Sequence, residues 1–272
     1  MKRYVLRLEF EGTPFCGWQI QDKERELANK ASIQSVIQEQ LQILLRSPEK
    51  IYVQGCGRTD AGVHAEEFFC HFDFNDEALD TEKIRHGLNA LLPSEISALS
   101  CFEAPTNFHA IESVVEKHYR YQILIRRTKA SFLKNQAWWF PMTLDNFSID
   151  KIREASQDIL GTHDFFAFSA AGSSVKTTVR CVNNIHIELK ALGDDPCFGH
   201  QLNLEFRGRG FLKHMVRLLT GTLCEIATGK RNLHFISETL KLKHNNSFDE
   251  LPRLLCAPPQ GLFLAKVKYE KT

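Results

Sequence analysis

GCGRTDAGVHAEEFFCHFDF, residues 55–74, runs from a glycine-broken turn straight into an alternating strand. Gly55, Gly57 and Gly62 permit backbone conformations closed to other residues, so residues 55–65 read as a shaped loop. After it Phe68, Cys70, Phe72 and Phe74 alternate with Glu67, His71 and Asp73, the period of a half-buried strand. Upstream, Ile51 to Val53 predicts a short strand, which makes the loop a connection between two strands. Loops carried on a rigid scaffold are where chemistry concentrates. This one sets Arg58 beside Asp60, with His64 shortly after. The plainer alternative is a turn in which Asp60 caps the backbone and Arg58 pairs with it at the surface.

The flanking chain gives the loop its setting. Tyr4, Leu6, Leu8 and Phe10 oppose Arg3, Arg7 and Glu9, which predicts an opening strand. Ser32 then stands as N-cap before Ile33, Val36, Ile37, Leu41, Leu44 and Leu45 at helical spacing, up to Pro48. Ile84, Leu88, Leu91 and Leu92 predict a second helix before Pro93, and residues 96–103 alternate again. The first half reads β, α, β, loop, β, α, β. From Lys117 the pattern echoes: Tyr119, Tyr121, Ile123 and Ile125 alternate with Arg120, Gln122 and Arg126. A helix from about Asp150 to Leu160 stops at Gly161. Strands at 185–189 and 202–206, an amphipathic helix at 211–228, a helix at 233–242 and a last strand at 262–269 complete the chain. The pattern predicts two related α+β halves. They are residues 1–108, carrying the glycine loop, and residues 109–272.

With 272 residues, 43% of them hydrophobic, the chain can bury a full core. Its net charge of +1 gives no overall sign of a nucleic-acid partner, but cations are concentrated locally. Arg207, Arg209, Lys213 and Arg217 flank glycines 208 and 210, and Lys213 and Arg217 are expected to share a helix face. Arg126, Arg127 and Lys129 form a second cluster, Lys230 and Arg231 a third. Several such clusters near loop ends suit a polyanion, with Tyr119, Trp138, Trp139 and Phe211 available to stack on bases. No apolar run is long enough to span a bilayer and the N-terminus lacks a signal-like stretch, so a cytoplasmic protein with no membrane partner is expected. The eight scattered cysteines form no CxxC pair and are expected to be reduced, and no metal site is predicted.

The chain resembles the tRNA pseudouridine synthase A family over nearly its whole length. The resemblance rests on FEGTPFCGWQIQ (10–21), SIQSVIQEQL (32–41), GRTDAGVHA (57–65), LNALLP (88–93), FHA (108–110), HYRY (118–121), HDFFAFS (163–169), GRGFLKHMVRLLTGTL (208–223) and APPQGLFL (257–264). It implies the pseudouridine synthase fold: two RNA-recognition-like halves joined in one mixed sheet flanked by helices, with the active-site cleft between them. It further implies isomerisation of uridine to pseudouridine in the anticodon stem-loop of tRNA, by a homodimer that uses no cofactor. Asp60 matches the catalytic aspartate, Arg58 the arginine that displaces and replaces the flipped nucleotide, and Tyr119 the tyrosine that packs on the uracil. Arg217 matches the cationic partner of the carboxylate. His64 and Leu262 sit at motif positions as active-site lining. Arg126, Arg127, Arg207, Arg209 and Lys213 are expected to contact RNA phosphates.

The reaction breaks the N1 glycosidic bond, turns the uracil and rejoins it through C5. Three routes are open to an ionised carboxylate: attack at C6 of the base, attack at C1′ of the sugar, or removal of a sugar proton to give a glycal. Two departures from the family pattern stand out. Ile111 follows FHA where an arginine is usual, pointing to one phosphate contact fewer, and Phe69-Cys70 replaces a usual Gln-Val. The competing reading is a non-catalytic RNA-binding protein or chaperone on the same fold, against which Asp60 argues. A phosphate-binding hydrolase is excluded, because no P-loop lysine and serine accompany the glycines.

Overall fold

The structure is a computed structural model that describes residues 1–20, 30–75, 80–170, 176–242 and 251–270. In chain order the first elements are β1 (Lys2–Phe10), α1 (Ile33–Leu44), β2 (Gln54–Gly55), β3 (His64–Phe74), α2 (Thr81–Leu91) and β4 (Ile96–Ala104). There follow β5 (Val114–Ile125), β6 (Trp138–Phe140), α3 (Ile149–Gln157), β7 (Gly161–Asp164), β8 (Val179–Ala191) and β9 (His200–Gly208). The chain continues through α4 (Met215–Ala227) and α5 (Phe235–Leu240) to β10 (Leu262–Tyr269). Two compact units result: residues 1–115 with 263–272, and residues 116–262.

In the first unit β1 lies between β4 and β3, antiparallel to both, and β10 runs parallel to β3 with Phe263 opposite His64. Tyr4, Leu6 and Leu8 of β1 face Phe72, Cys70 and Phe68 of β3, all of them buried. Ser32 caps α1, its Oγ accepting from the Ser35 N–H at 3.1 Å, a contribution of about 1 kcal/mol. Ile33, Ile37 and Leu41 are buried on the helix that follows, and α1 packs on α2, where Gly87 accommodates the Leu44 side chain.

The face of β3 that carries its polar residues is covered, while Arg7 and Glu9 of β1 stay exposed. Glu67 and His71 are buried. Arg3 forks onto both carboxylate oxygens of Asp73 at 2.8 and 2.7 Å and donates to the carbonyl of Thr106, fixing the FHA segment over the strands. The Ala110 N–H donates to His71 Nδ1, and the Tyr269 hydroxyl donates to the Ala110 carbonyl at 2.8 Å. Burial, with the charge of Arg3 next in effect, pushes the His71 pKa down to about 4, so its ring stays neutral and Nδ1 remains an acceptor at neutral pH. Strand alternation reports two faces but not what covers each.

In the second unit the order is β5, β9, β8, β7, with β6 parallel to β5. Leu202, Leu204 and Phe206 of β9 and Tyr121, Ile123 and Ile125 of β5 are buried, and α3 packs on α4. Two predicted boundaries shift. Residues 51–53 are not a strand: the Val53 N–H donates to the Gln38 side chain at 3.2 Å, and the ladder begins at Gln54. The helix predicted from residue 211 starts at Met215, because His214 is left-handed at φ 62°. Lys213 therefore lies before the helix and shares no helix face with Arg217.

Candidate active site

Asp60 opens a β-turn. The Val63 N–H donates to the Asp60 carbonyl at 3.1 Å, and Gly62, the third residue, has φ 77°, a value that L side chains rarely adopt. Of the three glycines singled out by sequence, only Gly62 has positive φ; Gly55 is needed for space, since a Cβ there would lie 2.5 Å from the Trp18 indole.

Residues 12–18 press on this turn from the side. The Trp18 N–H donates to the Thr59 carbonyl at 3.2 Å, and the Gly12 N–H donates to His64 Nδ1 at 3.0 Å. The approach is so close that a Cβ on Gly12 would stand 2.0 Å from the Val63 carbonyl oxygen, and one on Gly17 2.5 Å from that of Thr59. The supporting loop is anchored by α1 in turn. The Ile33 and Gln34 N–H groups, which lack partners within the helix, donate to the carbonyls of Gly17 and Trp18 at 3.0 and 2.9 Å. Gln34 accepts from the Ile20 N–H and donates to the Val53 carbonyl, bridging two loops.

This frame leaves Asp60 half-buried and Arg58 exposed, with no hydrogen bond or ion pair from Arg58 to any described residue. His64 is buried, its ring stacked on Phe263 at 4.6 Å. Its Nδ1 accepts from Gly12, so it serves as a support behind the turn. Sequence reading assigned no role to Gln34 and Gln38. Nothing in the sequence separates them from Gln40 and Gln42 of the same helix; what marks Gln38 is that it lies between Ile37 and Leu41 on the buried side, where a polar group must find partners.

In the second unit the alternating tyrosines separate. Tyr121 is fully buried and its hydroxyl donates to the Pro258 carbonyl at 2.6 Å. Tyr119 is half-buried and meets Phe211 edge to face, ring centroids 5.1 Å apart. Arg217 lies in the first turn of α4 and is tied to the 257–261 segment: its Nε donates to the Ala257 carbonyl at 2.8 Å, while the Ala257 N–H donates to the Arg217 carbonyl at 3.1 Å. A cation at a helix N-terminus opposes the helix dipole, and both together favour an anion there. Leu262, just after this segment, is buried.

The basic residues fall into two groups. Arg209 and Lys213 are exposed, and Arg207 pairs with Glu205 at 3.2 Å. Arg126 donates to the carbonyls of Thr128, Lys129 and Phe198, closing its own loop, while Arg127 is exposed. The β5–β9 ladder runs from Lys117 opposite Gly208 to Ile125 opposite His200. The two groups thus lie at opposite ends of it, roughly 27 Å apart at about 3.4 Å per residue. The structure does not bring them together.

Comparison with known proteins decides the family. A family profile described as tRNA pseudouridine synthase matches residues 155–270. The chain is 35% identical over 269 residues to the tRNA pseudouridine synthase A of Geobacter sp. (strain M21), covering 99% of each chain. It is 36% identical over 273 residues to that of Citrifermentans bemidjiense, covering 100% of this chain and 99% of the relative. The chain belongs to the tRNA pseudouridine synthase A family. The Asp60 turn lies outside the profile's match and within the span shared with these relatives, so family membership and turn geometry bear on it separately. Among the described residues no group of His, Cys, Asp and Glu is placed to hold a metal ion, and no helix is long and apolar enough to cross a membrane.

Proposed function

We propose that this chain isomerises uridine to pseudouridine in the anticodon stem-loop of tRNA, acting as a cytoplasmic homodimer, with Asp60 as the catalytic carboxylate. The observation that carries this reading is the turn itself. The half-buried Asp60 sits in a turn whose neighbours on both sides are held, Thr59 by the Trp18 N–H and His64 by the Gly12 N–H. A simple surface cap has no use for a second loop packed so tightly that two of its residues must be glycine.

The roles follow from chemistry. Asp60 supplies the negative charge that the glycosidic bond cleavage needs. Arg58, exposed and planar, takes the place of the nucleotide that leaves the stack. Tyr119, backed by Phe211, offers an aromatic surface to the uracil. Arg217, its guanidinium tied to the Ala257 carbonyl, keeps the role of cationic partner that the resemblance implies. Leu262 is buried next to the 257–261 segment, and His64 supports the turn through Gly12. Arg209 and Lys213 present charge to the phosphate backbone, which sets affinity and register while leaving sequence choice to the site. Isomerisation is atom-neutral: the N1–C1′ bond is replaced by C5–C1′, the proton lost from C5 goes to solvent, and N1 takes up a proton in its place.

Incubation of the protein with unmodified tRNA transcripts, followed by pseudouridine mapping at each position, tests the reading. New pseudouridine confined to the anticodon stem and loop is expected. Binding of tRNA with no pseudouridine formed would favour the non-catalytic alternative.

A further inference from the structure

β8 runs on past its neighbour. β7 pairs with residues 179–182 alone, whereas β8 continues to Ala191 with β9 on its other side. Residues 183–191, NNIHIELKA, therefore present an edge with no strand beside it among the described residues. Ile185, Ile187 and Leu189 lie directly opposite Phe206, Leu204 and Leu202. The β9 residues are fully buried, but their β8 partners are only half-buried, so the apolar layer stops unfinished at this edge. Asn184, His186, Glu188 and Lys190 occupy the opposite face and are exposed. Edges left open are normally short, bulged or charged on the core side. This one has a register shift only at its beginning, between Val182 and Asn184.

The sequence of the edge is complementary to itself. In an antiparallel pair made by a two-fold axis, one residue must face its own copy, because a half-step would put paired side chains on opposite faces. Centring on His186 sets that histidine against itself. Centring on Glu188 sets two carboxylates together and His186 against Lys190. Centring on Leu189 opposes Glu188 to Lys190 but pairs only residues 187–191, leaving Ile185 outside the ladder. Centring on Ile187 gives Ile187 its own copy, Ile185 opposite Leu189, His186 opposite Glu188 and Asn184 opposite Lys190, each mixed pair twice. Complementary polar pairs and branched apolar pairs directly across are the stabilising ones, and like charges the destabilising ones. We propose that residues 183–191 pair antiparallel with the same residues of a second copy, centred on Ile187, completing the apolar layer across the two-fold axis.

This inference rests on the homodimer proposed above, and sedimentation of the unmodified chain tests that separately. Ile187→Cys is then oxidised under native conditions. Opposed Cα atoms in an antiparallel pair lie about 4.5–5.5 Å apart, within disulfide reach, so a covalent dimer is expected well above the background from the exposed Cys181 and Cys197. Ile185→Cys, facing Leu189, should stay at background. Glu188→Lys should raise the dimer dissociation constant about tenfold, whereas the exchange of His186→Glu with Glu188→His, which keeps the same pair across the axis, should leave it unchanged. A dimer that neither cross-links through residue 187 nor responds to Glu188→Lys would put the interface elsewhere. Equal cross-linking at residue 185 would refute the register. A chain that sediments as a monomer at all concentrations would remove the dimer and this surface together.

Discussion

Residues 55–65 and residues 207–217 both set glycines beside charged side chains, and they are built in opposite ways. The first is enclosed: backbone from residues 12–18 touches it at Thr59, Val63 and His64, and substitution at Gly12 or Gly17 has no room. The second is open at its cations. A Cβ on Gly210 meets nothing within 4 Å and Arg209 and Lys213 are exposed, while Gly208, Leu212, Met215 and Val216 are buried beneath them and Arg217 is tied to Ala257. The contrast matches the division of labour between catalysis and binding proposed above. A reacting group must be held to within a fraction of an ångström, whereas phosphate contacts need charge presented on a surface.

Gly12→Ala breaks the enclosed side of this comparison and carries the largest expected effect outside the catalyst. The added methyl collides with the Val63 carbonyl, so stability should fall by roughly 3 kcal/mol and turnover by at least about 10²-fold, read by urea unfolding and by pseudouridine formation. A variant with normal turnover would show that the packed loop does not position the turn. Arg217→Lys comes next. Lysine loses the bond from Nε to Ala257 and the planar fork, so about 10²-fold in turnover should go with about 1 kcal/mol of stability. Full activity would reduce Arg217 to a tie between α4 and residue 257.

Three smaller effects follow, two in the basic cluster at 126–129 and one on the open side. Arg127→Ala should flatten the slope of log tRNA affinity against log salt by about 1, the loss of one phosphate contact. Arg126→Ala should instead loosen its loop, raising protease cleavage between residues 126 and 137, because its guanidinium holds three carbonyls of the fold. If Arg126→Ala changed only the salt slope, its place as a loop clamp would be wrong. Gly210→Ala is expected to shift stability by no more than about 0.5 kcal/mol, since nothing surrounds the site. A large loss there would mean that the open segment is as constrained as the enclosed one.

Much of this was legible in the sequence. Alternation located β1, β3 and β5, and Ser32 marked the start of α1, because burial period and capping are local properties of the chain. The loop around Asp60 was legible from its glycines, and the resemblance named the family that the relatives then established. What escaped was pairing. No local signal says that β10 returns to run parallel with β3, or that the FHA segment covers the face carrying His71 and Glu67. The left-handed His214 was hidden inside an apparently continuous helical pattern. Arg126 and Arg127 read alike in sequence, and only the loop geometry separates the clamp from the exposed cation.

The central claim is that the carboxylate of Asp60 does chemistry, and Asp60→Asn tests it most directly. Asparagine keeps the size and turn propensity of aspartate while removing charge and nucleophilicity, so a capping role predicts at most about 1 kcal/mol of lost stability and turnover in proportion to folded protein. Forming the bond at C5 releases that carbon's hydrogen, so tritium released from tRNA labelled at uracil C5 counts the reaction. Folded Asp60→Asn that still binds tRNA and releases tritium roughly four orders of magnitude more slowly is the expected result. Release at a near-normal rate by the folded variant would contradict the account.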